Sequence, residues 1–447
     1  MSTAQLSAPG VERLREVADR TVRELAGAAD YLQVFAESTL AVGVEHTAGE
    51  SAATCGDLRE GLGCLALRDG RWRYKAVTPD QAGSLADWLG VPRPATAPDW
   101  APGPDTAGFT PLPPGAWEVA EPGVPHSIRS MEDFTYRRYA VADTEGTVHA
   151  GATHTLRRRV EAGVIVSGRR YRGLSRWLRK GPDAVRADGS VQELVRTALD
   201  RARDSAAASV GGKHRTPVVF GPSAAAGFLH ELVGHALEAD NFQLDSAYVA
   251  GLRRPGALPA ALAVRDDPTV EHGYGSYPAD DEGRPATVTT LLENGEIGAP
   301  LTSVRTARRG GHRPTPNARR TDFRSPAIPR ASNTVALPGT DDPELMLRGE
   351  GTGVLYVGCL GAGMIQLGTG EFSFAALDCH YVTPAGDRVP ARDVSVVGNA
   401  LGALSRLEAI GSDFGGDNVT CGKQGQMIGI GLYSPSMRYA ALDWSAA

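Results

Sequence analysis

Two imidazoles and a carboxylate fall within six residues in the stretch Phe228-Leu229-His230-Glu231-Leu232-Val233-Gly234-His235. A neutral imidazole is the commonest protein metal ligand, so two on one short element make half a zinc site. Glu231, beside the first histidine, stands where a zinc hydrolase keeps its general base. The spacing departs from the usual pair at i and i+4, which a regular helix sets about 40° apart; at i and i+5 the rings diverge by about 140°. One extra residue in the turn, a π-bulge that Gly234 tolerates, returns them to one side, and such bulges favour functional sites. The other reading of the same residues is a buried helix whose histidines bond neighbouring carbonyls. The flanks define the element. Val218-Val219-Phe220 reads as a strand, Ser223 as the cap of the helix, and Ala224, Ala225 and Ala226 as a face for close packing.

The run Pro217-Val218-Val219-Phe220 through His230-Glu231, His235-Ala236-Leu237-Glu238 and Asp240 resembles the signature of the TldD/PmbA metallopeptidase family, and its TldD-type, metal-carrying member in particular. Pro329-Arg330-Ala331-Ser332-Asn333-Thr334 is similar to a second motif of that family, and Cys421-Gly422-Lys423-Gln424-Gly425-Gln426 to a third. The resemblance implies that Cys421, taken as a loop residue among glycines, joins His230 and His235 as third ligand of a zinc ion, with Glu231 as the catalytic base. The residues alone leave Glu238 and Asp240 open as third ligand. The resemblance further implies extended peptides or peptide-like intermediates as substrates, cut by metal-activated water. It implies a partner too, either a metal-free sister subunit resembling PmbA/TldE or a second copy. Relatives trim peptide precursors, ribosomally made antibiotics among them, so peptide or specialised-metabolite maturation is one expected role. One departure is Leu65, where the resemblance leads one to expect an arginine.

The elements that must position these groups divide the chain in two. Val11, Leu14, Ala18, Val22 and Leu25 recur at helical spacing; Leu32 to Ala36 and Leu40 to Val44 alternate as strands, and Asp69-Gly70 signals a hairpin. Ten prolines between Pro92 and Pro125 exclude regular structure and suggest a surface excursion. Strand character resumes over Val141 to Val166, a second amphipathic helix spans Val191 to Ala202, and Gly211-Gly212-Lys213-His214 breaks the chain. The expectation is an α+β fold of two domains: a helix-plus-sheet domain over 1–210 with the Pro-rich loop 92–125, and a β-rich catalytic domain over 215–447 carrying the histidine helix. Asp280-Asp281-Glu282 lacks calcium-loop spacing and reads as a solvated loop, though the resemblance suggests a structural turn. Eight arginines against one acid between Arg305 and Arg330 read as a lip for a peptide's carboxylate or carbonyls, with Arg319, Arg320 and Arg330 as candidates. Gly361 and Gly363 open a glycine-rich stretch without dinucleotide spacing; they mark a bulge or an edge where a substrate backbone approaches and adds a strand.

Composition narrows the function classes. A chain of 447 residues exceeds one compact core. A net charge of −6 and a lack of aromatic platforms among the arginines give no support for nucleic-acid binding. Five scattered cysteines without C-x-x-C, no apolar leader and no bilayer-length apolar run lead one to expect a cytoplasmic protein without membrane contact. The competing class is a non-catalytic binding or regulatory protein, of the gyrase-modulating kind attached to this family. The intact His-Glu-x-x-x-His with Cys421 argues against it. A serine hydrolase is disfavoured because Gly221-Pro222-Ser223-Ala224-Ala225 is not a nucleophile elbow.

Overall fold

The computed structural model describes residues 10–47, 50–93, 100, 109–117, 126–181, 191–349 and 351–447. The protein is α+β, built on three large sheets. The first holds β1 (Tyr31–Thr47), β2 (Glu50–Arg68), β3 (Arg71–Val77), β4 (His126–Asp143), β5 (Val148–Val166) and β6 (Arg169–Lys180), ordered β3-β2-β1-β4-β5-β6. Every neighbouring pair in it is antiparallel. The two alternating stretches at the start are one strand of 17 residues, bulged between Gly43 and Val44. Asp69 and Gly70 both take positive φ, 52° and 68°, the primed turn whose twist matches its flanking strands.

Two amphipathic helices seal this sheet. Val11–Leu25 buries Leu14, Val17, Ala18 and Val22 against Leu32, Val34 and Ala140. Val191–Ala207 buries Val195, Ala198, Leu199 and Ala202 against Val160, Ala162 and Val164. Much of the Pro-rich stretch (94–99, 101–108 and 118–125) lies outside the described residues. Its described part runs over the surface but is pinned by two buried rings. Phe109 stacks on Phe134 with centroids 4.6 Å apart, Trp117 on His46 at 5.3 Å, and both rings are buried. Aromatic area of this kind outweighs the absence of regular structure.

Beyond Gly211 the chain enters β7 (Gly212–Phe220) without interruption. Then follow β8 (Val264–Asp266), β9 (Thr289–Glu293), β10 (Glu296–Ile297), the short pair β11 (Ala318–Arg319) and β12 (Ile328–Pro329), and β13 (Asn333–Ala336). The remainder comprises β14 (Val354–Gln366), β15 (Glu371–Val382), β16 (Arg388–Ala391), β17 (Val394–Asn399), β18 (Leu407–Ile410), β19 (Gly415–Lys423), β20 (Gln426–Ser434) and β21 (Met437–Ala446). The second sheet runs β10-β9-β8-β13-β20-β19, with β13 and β20 parallel. The third runs β14-β7-β21-β17-β15-β16, and because β14 also pairs with β15 its strands close into a ring, with β18 attached to β21. Helix Pro222–Leu229 lies between these two sheets. Phe228 stacks on Phe220 at 4.7 Å and meets Phe372 and Tyr439 edge-on at 5.3 and 5.4 Å, while Ala226 rests on Ile430 and Leu432 of β20. Among the described residues no helix is long and apolar enough to cross a membrane.

Candidate metal centre

The histidine helix starts two residues earlier than Ser223 would have set it. Gly221, extended at φ −65° and ψ 170°, takes the N-cap position and Pro222 follows at N1, so the cap uses no side chain and Ser223 is not the cap. Proline is preorganised for that first position, which decides the boundary. After Leu229 the helix widens: His230–Gly234 is π-helical, and the His235 N–H donates to the His230 carbonyl across five residues. Gly234 sits under the first imidazole, where a Cβ would stand 3.4 Å from His230 Nδ1. The extra residue turns both rings to one side, with centroids 4.6 Å apart.

Cys421 reaches them from β19, near the far end of the chain. It lies within that edge strand opposite Ile428, and the loop is the two-residue turn Gln424-Gly425 further on. Its Sγ lies 3.4 Å from His230 Nε2 and 3.3 Å from His235 Nε2. The three donor atoms fall within 4.8 Å of one another, and all three side chains are buried. Burial alone pushes the Cys421 thiol up, but His230 and His235 outweigh it and bring the thiol down to about 4. A thiolate beside two imidazoles is the donor set zinc takes in four-coordinate sites. Metal binding would displace a proton from His235, whose pKa burial lowers but which Glu238 and Cys421 together hold well above the usual imidazole value.

Each ring nitrogen facing away from Cys421 is held. His230 Nδ1 is 3.0 Å from Thr334 Oγ1, and His235 Nδ1 is 2.8 Å from Glu238 Oε2. Glu238 is fully buried and accepts from Lys423 Nζ at 2.9 Å, with Arg330 Nε at 3.7 Å. Burial pushes its carboxyl up, yet His235, Lys423 and Arg330 together hold it well below the usual carboxylate range. Asp240 also pairs with Lys423, at 2.6 Å. Both acids that remained open as third ligand bond Lys423 here, and Glu238 also bonds His235. Such outer partners fix ring orientation and tautomer. Sequence reasoning missed Thr334, Lys423 and this role of Glu238. Each lies in or beside one of the quoted motifs, which was the available signal.

Glu231 is partly exposed, its Oε1 3.8 Å from His235 Nε2. Burial raises its pKa against the pull of His235 and His230, the direction that suits a proton acceptor working near neutrality. It lines a cleft of about 660 Å³ bounded by Cys421, Lys423 and the glycine-rich strand from Leu360 to Ile365. Gly361 and Gly363 border that cleft, and β14 is bulged between Leu360 and Gly363. At Gly363 a Cβ would come within 2.2 Å of the Phe374 ring, so glycine there permits the close approach of β15. Among the described residues, β14 between Cys359 and Gln366 pairs only with β15, and β19 pairs only with β20, leaving one backbone edge of each strand unpaired by any of them.

The three candidate arginines do not form an exposed lip. Arg319, Arg320 and Arg330 are buried. Arg330 donates to the carbonyls of Cys421 at 2.7 Å and Gln426 at 3.1 Å, bracing the hairpin that carries the thiol. Arg319 donates to the carbonyls of Ala331 and Gly429, and Arg320 to Gln33 and the Asp281 carbonyl. Asp280, Asp281 and Glu282 are likewise buried, which corrects the expectation of a solvated loop. Asp280 accepts the backbone N–H groups of Glu282, Arg284 and Ala318, and so ties the turn to β11.

This α+β fold carries a His-His-Cys donor cluster, and comparison with known proteins gives the family. Residues 213–444 match the model of the PmbA/TldA metallopeptidase C-terminal domain, and the chain belongs to the TldD/PmbA family. It is 33% identical over 248 residues to a protein named metalloprotease from Methanothermobacter thermautotrophicus, covering 56% of this chain and 54% of that one. A zinc metalloprotease TldD homolog from Saccharolobus solfataricus is 29% identical over 227 residues, 51% of this chain and 50% of its own length. The chain thus matches about half the length of these relatives. TldE from Thermococcus kodakarensis shares the fold, with a TM-score of 0.70 at 16% identity over 95% of this chain and 99% of that structure.

Proposed function

We propose that this chain is the metal-carrying, TldD-type subunit of a zinc peptidase, and that His230, His235 and Cys421 hold the ion. The supporting observation is the convergence of those donors within 4.8 Å from two segments far apart in sequence. Zinc held there supplies a Lewis acid that polarises a scissile carbonyl and brings the pKa of water toward about 7. Glu231 takes the proton of the attacking water and delivers it to the departing amine. The thiolate returns more charge to the metal than a carboxylate would, and the confined cleft compensates. An extended peptide lies between the free edges of β14 and β19, held through its backbone and little selected by its side chains. Gly361 and Gly363 border its path; Arg319, Arg320 and Arg330 act at a distance, by fixing the hairpin and the turns around it. The cleft is completed by a metal-free PmbA/TldE-like sister subunit or by a second copy, in a cytoplasmic assembly that matures or clears peptides.

Elemental analysis of the purified chain is expected to find about one zinc per chain, with and without the co-purified partner. Glu231→Gln is expected to keep the metal and lower peptide cleavage by about 10²–10⁴-fold, the usual worth of general acid–base catalysis. Unchanged cleavage removes Glu231 from the mechanism. Cys421→Ala is expected to empty the site; full occupancy would return Glu238 or Asp240 as ligand. A chain that binds no zinc and cleaves nothing with any partner is the regulatory protein of the competing reading.

A further inference from the structure

On the face of the β19–β20 hairpin turned away from Cys421 there is a second cavity, of about 540 Å³, between the first sheet and the segments that follow Asp266. Strand alternation separates the two sides. Ile428 and Ile430 pack with Cys421, whereas the ring of Tyr274 covers Gly429 so closely that a Cβ there would meet it at 2.3 Å. The cavity takes Lys180 from the end of β6, Arg137 from β4, Arg319 from β11 and the ring of Tyr277. Lys180 Nζ lies 5.8 Å from the centroid of that ring and the Arg319 guanidinium 5.3 Å from it, so two cations flank one aromatic.

These cations are not equally satisfied. Arg137 pairs with Glu37 at 2.8 Å and Asp281 at 3.1 Å, though its second terminal nitrogen is buried without a partner. Among the described residues Arg319 donates to two backbone carbonyls and forms no ion pair. Among the described residues Lys180 has neither a hydrogen bond nor an ion pair. Burial, with Arg319 and Arg137 nearby, pushes its ammonium down to about 7 against the opposing pull of Asp281. A half-buried ammonium repelled by neighbouring guanidiniums and facing a cavity is a place that an anion completes.

We propose that this cavity is a binding site for an organic carboxylate, with Lys180 as its direct partner and Arg319 and Arg137 supplying the surrounding field. One free ammonium matches one carboxylate group, and Tyr277 with Tyr274 offers apolar surface to the carbon skeleton behind it. Two sources share that chemistry, the C-terminus of a peptide and a small free carboxylic acid.

The test reads Lys180 directly. Full-length, zinc-loaded Glu231→Gln protein is treated at pH 7.5 with trinitrobenzenesulfonate, and modification of each lysine is followed by peptide mass spectrometry. Lys180 is expected to react faster than surface lysines such as Lys213. An acetylated tripeptide with a free C-terminus is expected to slow it at least fivefold, and the same tripeptide amidated is expected to leave the rate unchanged. Protection by succinate without protection by the tripeptide assigns the site to a small acid and still supports the proposal. Calorimetric titration with the protecting carboxylate is expected to show about tenfold weaker binding for Lys180→Gln and recovery for Lys180→Arg. If no carboxylate slows Lys180 at millimolar concentration, or if inorganic phosphate alone does so, the proposal is overturned. Zinc occupancy is untouched by either result, so failure here leaves the peptidase assignment standing.

Discussion

Two groups of buried carboxylates in this protein have taken opposite routes. Glu238, fully buried beside the histidine cluster, is surrounded by His235, Lys423 and Arg330, and its pKa is driven well below the usual range. Asp280 and Glu282, in the turn that docks on the first sheet, are buried with backbone N–H groups as partners, and their pKa values are pushed up mainly by burial. Glu282 Oε1 has no partner at all among the described residues. Desolvation is severe in both places; the nearby cations decide whether the charge survives. Charge is kept where it orients an imidazole and anchors the thiol-bearing hairpin. It is disfavoured at Asp280 and Glu282, which fasten a turn through backbone N–H groups. Asp281, between the two acids of that turn, confirms the rule on a scale of one residue: paired with Arg137 at 3.1 Å, it is held below its usual value despite burial.

Removing Glu238 is the strongest way to break the contrast. Glu238→Ala leaves Lys423 and Arg330 buried with a lost counter-charge, and loss of one partner of a buried pair costs about 3–5 kcal/mol. The imidazole of His235 loses its orienting acceptor as well, for which a fall of about 10–100-fold in zinc affinity is expected. Denaturant unfolding of the metal-free chain measures the first effect, and competition with a chromogenic chelator the second. Glu238→Gln keeps the shape but not the charge, and is expected to fall between the variant and the parent. Equal stability of all three proteins would show that Lys423 and Arg330 are satisfied by Asp240 and the backbone carbonyls alone.

The weaker site should respond differently. Asp280→Asn replaces a carboxyl already pushed toward neutrality, so no buried cation is stranded. What is lost is one acceptor: the side chain serves Glu282 and Arg284 through one oxygen and Ala318 through the other. An unsatisfied buried N–H at Ala318 is expected to cost about 1–3 kcal/mol. A larger loss than that of Glu238→Ala would reverse the ranking.

Neither difference could be read from the sequence, since Glu238 and Asp280 each stand in acidic stretches and, His235 beside Glu238 apart, the cations around them come from remote segments. Arg330 and Lys423 are far along the chain from Glu238, and Arg137 reaches Asp281 from the other sheet. The same distance effect turned an expected arginine lip into buried braces, because the carbonyls that Arg319 and Arg330 bond are set by tertiary packing. Local chemistry was legible. The π turn offered as one reading of the five-residue histidine spacing is found, and Asp69-Gly70 forms its hairpin with φ of 52° and 68°. Where a local signal was displaced, the error was small in extent. Gln424-Gly425 rather than Cys421 forms the turn, so the thiol is carried by a strand whose neighbour fixes its direction. Ser223 lost the cap because Pro222 had already fixed the first turn.

The subtlest contrast is in the pH dependence, where the two groups have opposite signs. Glu238 has a folded pKa below its unfolded one; its stabilisation is complete above the ordinary carboxylate range and is lost as pH falls from that range down through the folded value. Asp280 and Glu282 have folded pKa values above the unfolded ones. Above about pH 4 the unfolded chain releases protons that the folded turn retains, so unfolding becomes easier as pH climbs toward neutrality and beyond. Each pH unit over which one such proton is retained contributes about 1.4 kcal/mol at most. Glu282→Gln replaces the protonated carboxyl with a neutral amide of similar shape and removes one retained proton. The expected outcome is a shallower decline of unfolding free energy between about pH 5 and 8 in the metal-free variant, with no change in the acid limb that Glu238 sets. An unaltered slope would mean that Glu282 keeps its charge in the folded state, and the contrast between the two carboxylate groups would then rest on Asp280 alone.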